Sequence, residues 1–186
     1  GDSIGIIAAA DSDIYIIAGG LAAAGANAVG ASINTAILKN DIQAHAGTWT
    51  ELMTTATPAV QTSSNGIRIP NRNERRRGII IFANGNEDVI MVSVSAGAGG
   101  SNAITGVINT LVVRNTVKAT SREHVTISVK KAAGSSTNDT DPLPGVYIEA
   151  HDDTELLNLA GALSAAGSVG VGATVVALVF NKNVTA

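Results

Sequence analysis

Apolar residues recur at every second position in three places along this chain, and the three places match one another. Ile33, Thr35 and Ile37 correspond to Ile108, Thr110 and Val112, and then to Val175, Ala177 and Val179. A period of two is that of a β-strand, whose successive side chains point to opposite faces. The intervening positions are Asn34, Ala36 and Leu38, then Asn109, Leu111 and Val113, then Val176, Leu178 and Phe180, so the second face is also largely apolar. Strands apolar on both faces predict a layered or parallel arrangement with these strands inside. Lys39, Arg114 and Asn181 then return the chain to solvent.

The strands belong to longer copies. Ile4 to Ala44 aligns without gaps on Ile79 to Ala119, with about a third of the aligned positions identical. Val146 to Ala186 aligns with both and matches the first copy nearly as well. Asp13, Asp88 and Glu155 open the apolar run in each, and Gly25, Gly100 and Gly167 punctuate its middle. Self-similarity at fixed spacing is the signature of stacked repeats. The expected fold is therefore all-β: one parallel β-helix (β-solenoid) segment over 1–186, with repeats 4–44, 79–119 and 146–186 and two polar inserts, 45–78 and 120–145. Rungs of about 20 to 30 residues would place about three between successive copies. A β-sandwich or jelly roll is the alternative.

The inserts read differently from the copies. Val125, Ile127 and Val129 alternate with polar residues and predict one further strand before a Ser/Thr/Asp/Pro-rich loop from Gly134 to Gly145. The first insert holds Trp49, Pro58, Pro70 and the run Asn-Arg-Asn-Glu-Arg-Arg-Arg-Gly, and is expected to leave the stack as a surface excursion.

Each copy also contains a long uncharged run, Ile14 to Leu38, Val89 to Val113 and Leu156 to Asn181, long enough to suggest a membrane helix. Asn27, Asn34, Asn102, Asn109 and Asn158, many serines, mid-run glycine doublets and the period of two argue against that, and a mean hydropathy of +0.26 agrees. Small residues suit tight corners between stacked strands. Aromatic residues make up 3% of the chain, so any interior is thin and filled by small or β-branched side chains. Charged residues are 15%, against about 25% in globular proteins, and the net charge is −3. No long-range field draws nucleic acid. The absence of cysteine removes disulfides, thiolate metal sites and thiol nucleophiles. The chain opens at Gly1 in mid-pattern, so any targeting signal is expected elsewhere in a longer protein.

Candidate chemistry is sparse. His45, His124 and His151 occupy unrelated positions of the repeat, and no metal site, cofactor site or catalytic set is assigned: there is no calcium nonapeptide, EF-hand loop, Gly-x-Ser-x-Gly elbow or phosphate loop. Glu149, Asp152 and Asp153 would suggest polysaccharide cleavage only if they lined a concave cleft. The densest charge is Arg72, Arg75, Arg76 and Arg77 around Glu74. Such a loop has the chemistry to grip a sulfated glycan or acidic partner, and deleting the insert is expected to spare folding while removing that binding.

Ala160 to Ala186, with Ala-Gly-Ser-Val-Gly-Val-Gly-Ala-Thr-Val-Val-Ala-Leu-Val-Phe-Asn-Lys-Asn at its centre, and Asn27 to Asn40 resemble the Ala/Gly/Val-rich repeat of large bacterial exoproteins, the fusobacterial leukotoxin-like proteins and autotransporter or filamentous-haemagglutinin-type adhesins. The likeness spans the three copies and departs from the pattern at Ala103 to Val107 and in the long first insert. It implies an exported, non-enzymatic passenger segment on the bacterial outer surface or released from it, engaged in host adhesion or leukocyte toxicity. Its partners would be a host-cell surface protein or glycan, or copies of itself end to end, with no nucleic acid and no membrane insertion. The alternative is a self-assembling extracellular fibre subunit that polymerises by β-strand addition through Ile4 to Ala8 or Phe180 to Ala186.

Overall fold

The computed structural model describes residues 3–56, 67–70, 72, 74–131 and 145–186. Pro58 and nearly all of the Gly134 to Gly145 loop fall outside them. The described chain is all-β. In order come β1 (Ser3–Ala24), β2 (Asn27–Ala46), β3 (Glu51–Ala56), β4 (Ile67–Arg68), β5 (Arg75–Arg76), β6 (Gly78–Gly99), β7 (Asn102–Ser121), β8 (Thr126–Lys131), β9 (Gly145–Ala166) and β10 (Val169–Thr185). One sheet has the order β1-β6-β9, a second β10-β7-β2, and β3 pairs with β8 in a third; every pairing in these three sheets is parallel. Parallel sheets of this kind are consistent with a β-solenoid-like architecture, and they exclude the antiparallel jelly roll. The only antiparallel pair among the described residues is β4 with β5.

The register follows the sequence spacing without slip. Ile14 lies beside Val89, Thr35 beside Thr110 and Leu52 beside Ile127, all at the spacing that separates the first two copies in the sequence. Val89 lies beside Leu156 and Thr110 beside Ala177, at the shorter spacing between the second and third copies. The expectation of about three rungs between copies is therefore corrected. Each interval brings the chain directly to the neighbouring strand, because strands of 20 and 22 residues consume the length that shorter rungs would have used. Charged Lys39 and Arg114 do not end their strands either; they stand exposed on the outer face while β2 and β7 continue.

The first and second sheets pack face to face. Ile14, Ile16 and Val89, Met91 meet Ala36, Leu38 and Leu111, Val113 between the layers. Farther from the β1–β2 bend, Ile81, Ala83, Ile42, Ala44, Val117 and Ala119 form a second core, closed at the end by Leu52 of β3 and Ile127 of β8. The middle strands β6 and β7 carry most of the fully buried side chains. Each such Leu, Val or Met contributes about 1.5 to 3 kcal/mol of hydrophobic stabilisation.

Near the bend the layers come close. A Cβ on Gly20 would lie 2.3 Å from the Ala31 carbonyl oxygen, and one on Gly97 would meet the Thr105 methyl at 2.7 Å. This narrowness explains which face of β2 turns inward. The small and amide side chains Ala28, Ser32, Asn34 and Ala36 fit the gap, whereas Ile33 and Ile37 point out and are 67% and 72% exposed. The uncharged strands are thus interior on one face only, which corrects the two-sided burial expected from their composition.

Candidate functional site

The arginine cluster lies on a small hairpin that folds back over the outer face of the first sheet. Ile67 and Ile69 pack on Ile80, Phe82 and Tyr147, so apolar residues that would otherwise face water hold the hairpin down. Backbone bonds close it: the Ile69 amide donates to Glu74 O (3.1 Å) and the Arg72 amide to Ile69 O (3.3 Å). The stretch is therefore only partly a surface excursion. β3 runs beside β8 within the stack, and deleting the whole insert would strip both Leu52 and the cover over Phe82.

The four arginines have different roles. Arg72 pairs with Glu74 at 3.2 Å, and Arg76 pairs with Glu74 at 3.1 Å and with Glu149 at 3.6 Å while lying 4.8 Å above the Tyr147 ring centre. Burial acts to lower the Arg76 pKa, but the Glu149 and Glu74 carboxylates outweigh it, so the guanidinium is held above its ordinary value. Arg77 is 5% exposed, and Arg75 is exposed beside Arg68. The Arg72 guanidinium donates to His151 Nδ1 at 3.0 Å, which assigns the ring proton to Nε2, 3.4 Å from Glu149 Oε2. Arg72 and Arg76 thus direct their charge to carboxylates of the protein itself, and the most exposed of the four is Arg75.

Beneath this patch, a polar layer lies between the sheets. Glu87 is fully buried and accepts hydrogen bonds from Asn40 Nδ2 (2.9 Å) and Thr154 Oγ1 (2.6 Å). Lys182 Nζ donates to Thr154 Oγ1 at 2.6 Å and forms an ion pair with the buried Asp152 carboxylate at 3.1 Å; Asn115 Nδ2 donates to the other Asp152 oxygen at 3.1 Å. Glu149, His151 and Asp153 occupy outward positions of β9, while Asp152 turns inward. Asp152 and Asp153 border one concavity with Arg72, Asn84, Asn86 and His151, but Glu149 does not line it, so the three acids named for polysaccharide cleavage do not share a cleft. Among the described residues no three His, Cys, Asp or Glu side chains form a group able to hold a metal ion.

The remaining histidines are equally distinct. His45 is exposed on β2, and His124 stacks on Trp49 with ring centres 4.0 Å apart. Trp49 and His124 occupy equivalent corners of successive copies, and both have positive φ, 61° and 57°. No described helix is long and apolar enough to cross a membrane.

Two further surfaces stand out, the second marked in the sequence only as a terminal strand, Phe180 to Ala186, able to pair with a neighbouring molecule. The outer faces flanking the bend are apolar on both sheets: Tyr15, Ile17 and Leu21 on one and Val29, Ile33 and Ile37 on the other are 67% to 89% exposed. The absence of charge there was visible but pointed to an interior. The other feature is the end of the stack at β9 and β10. Val176, Leu178 and Phe180 occupy inward positions, equivalent to Asn109, Leu111 and Val113, yet are 46%, 42% and 46% exposed because no described strand lies beyond β10. Comparison of the chain with protein-family models, with curated proteins and with solved structures finds no match to any of them.

Proposed function

We propose that this chain is a non-enzymatic structural segment of a rigid β-solenoid rod, its three repeats each supplying one coil, within an exported bacterial adhesin or leukotoxin-like exoprotein. The observation that supports it most is the open end at β10: inward apolar residues and an unpaired strand edge there are completed by a further coil of the same kind. In this reading the rod is the scaffold, and contact with host protein or glycan falls to what it displays. The exposed apolar faces beside the bend suit a protein partner better than the largely self-paired arginines suit an anion. Arg75 is the arginine that a sulfated glycan would meet first. The chain itself uses no cofactor.

The test is binding of the labelled chain to cultured host cells and to immobilised sulfated glycans. Ile33→Asp with Ile37→Asp, both on the exposed face, is expected to reduce cell binding while leaving the circular dichroism unchanged. Arg75→Ala is expected to affect only glycan binding. Undiminished cell binding in the double variant would remove the apolar face from the adhesive reading.

A further inference from the structure

The two ends of the stack differ, and each bears a mark of something stacked on it. At the β9–β10 end the mark is the open core of Val176, Leu178 and Phe180 together with free strand edges. At the β1–β2 end the mark is Gly25. Its equivalents in the following coils are glycines for a steric reason: a Cβ on Gly100 would lie 2.0 Å from the Gly25 carbonyl oxygen, and a Cβ on Gly167 would lie 2.4 Å from that of Gly100. Each coil thus sets its bend against the carbonyl of the coil before it. A Cβ on Gly25 would meet nothing within 4 Å, and Gly25 is not among the glycines of positive φ. Nothing among the described residues requires glycine there. A carbonyl from a preceding coil would.

Resting on the stacked-coil reading above, we infer that the β1–β2 end of one copy docks on the β9–β10 end of a second copy, with Gly25 of one set over the Gly167 carbonyl of the other. The contact continues an interface already present twice in the molecule. β1 and β9 are both 22 residues long, and the copies of the repeat define the register: Ile14 beside Leu156, Ala36 beside Leu178 and Leu38 beside Phe180. Strands of this length run about 70 Å, and two layers about 10 Å apart with their side chains present a face well above the roughly 800 Å² per partner of a standard interface. Because the two docking surfaces differ, the contact is head to tail and does not close, so its product is an unbranched filament. The same register sets Asp13 against Glu155 and Asp11 against Asp153. These like charges are already tolerated between β1, β6 and β9, where Asp13, Asp88 and Glu155 align. Salt therefore favours growth by screening them.

Sedimentation velocity and negative-stain microscopy of the whole chain over a wide concentration range test this. The expected result is a mass that rises with concentration, rods that lengthen without branching, and longer rods at higher salt. Gly25→Val, placed in open space in the single copy, and Leu178→Lys, placed at the opposite exposed end, are each expected to keep the wild-type circular dichroism and remain single copies. Added Gly25→Val is expected to cap wild-type rods. A β-folded wild-type chain that stays single at every concentration overturns the docking alone, as does growth of both variants equal to wild type or shortening of the rods by salt. A wild-type chain without β-structure overturns the stacked-coil reading and the docking with it.

Discussion

Between the sheets near the bend, four side chains form a hydrogen-bonded line across β2, β6, β7 and β9. Asn34 Nδ2 donates to Ser93 Oγ at 2.6 Å, the Ser93 hydroxyl donates to Asn109 Oδ1, and Asn109 Nδ2 donates to Asn158 Oδ1 at 2.8 Å. Ser93 and Asn109 are fully buried. Asn109→Leu keeps the branched shape and the number of heavy side-chain atoms but removes an acceptor from the Ser93 hydroxyl and a donor from the Asn158 carbonyl. A buried polar group left without a partner costs about 1 to 3 kcal/mol. With Ser93 fully enclosed and Asn158 half-buried, the sum is about 3 kcal/mol. Urea unfolding followed by circular dichroism, with the slope unchanged, measures this directly. Ser93→Ala added to Asn109→Leu removes the stranded hydroxyl but takes the acceptor from the buried Asn34 Nδ2, so no net recovery is expected. The measurement is repeated at two protein concentrations, because association would add its own stabilisation. A loss below about 0.5 kcal/mol for Asn109→Leu, the range of an ordinary surface change, would refute the account of the line as a stabilising buried network.

Other consequences follow from position in the stack. Leu111→Ala, in a fully buried site, is expected to cost about 3 kcal/mol, whereas Leu178→Ala at the β9–β10 end costs about 1 kcal/mol in a single copy; chemical denaturation of both distinguishes a stack open at that end from a uniformly closed core. Gly78 has φ of 104°, and an added Cβ would lie 2.1 Å from the Gly145 carbonyl oxygen, so Gly78→Ala should lower the melting temperature markedly while Gly25→Ala leaves that of the single copy nearly unchanged. Lys182→Met leaves the buried Asp152 carboxylate without its cation and is expected to cost about 3 kcal/mol or more in urea unfolding. Ile69→Asp should detach the hairpin from Phe82 and speed tryptic cleavage around Arg75 and Arg76 without reducing the circular dichroism.

Much of the fold was legible because parallel stacking sets equivalent residues side by side. Asp13, Asp88 and Glu155, aligned in the sequence, are neighbours in the sheet, and so are Thr35, Thr110 and Ala177. The same alignment extended past Ala44 would have disclosed β3, since Leu52 and Thr54 precede Ile127 and Val129 by the same interval that separates the first two copies; the prolines and arginines that follow masked it. Burial was harder to read. Both faces of β2 are rich in apolar residues, and hydrophobicity alone favours burying Ile33 and Ile37. The closeness of the two sheets at Gly20 and Gly97 selects the face that bears Asn34 instead, and that closeness is a property of two strands together. The arginine cluster was visible as a run, but Glu149 and His151, which partner Arg76 and Arg72, come from β9 far along the chain.

The register of the parallel sheets is the claim on which the rest stands, and the natural absence of cysteine makes it directly measurable. Thr35→Cys with Thr110→Cys places two thiols on the outward face of adjacent strands, where directly paired Cα atoms lie about 4.8 Å apart, within the range a disulfide spans. On mild oxidation the account predicts an intramolecular disulfide by mass spectrometry, while Thr35→Cys with Thr116→Cys, well out of register, stays reduced. Failure of the in-register pair to close, or closure of the displaced pair instead, would contradict it.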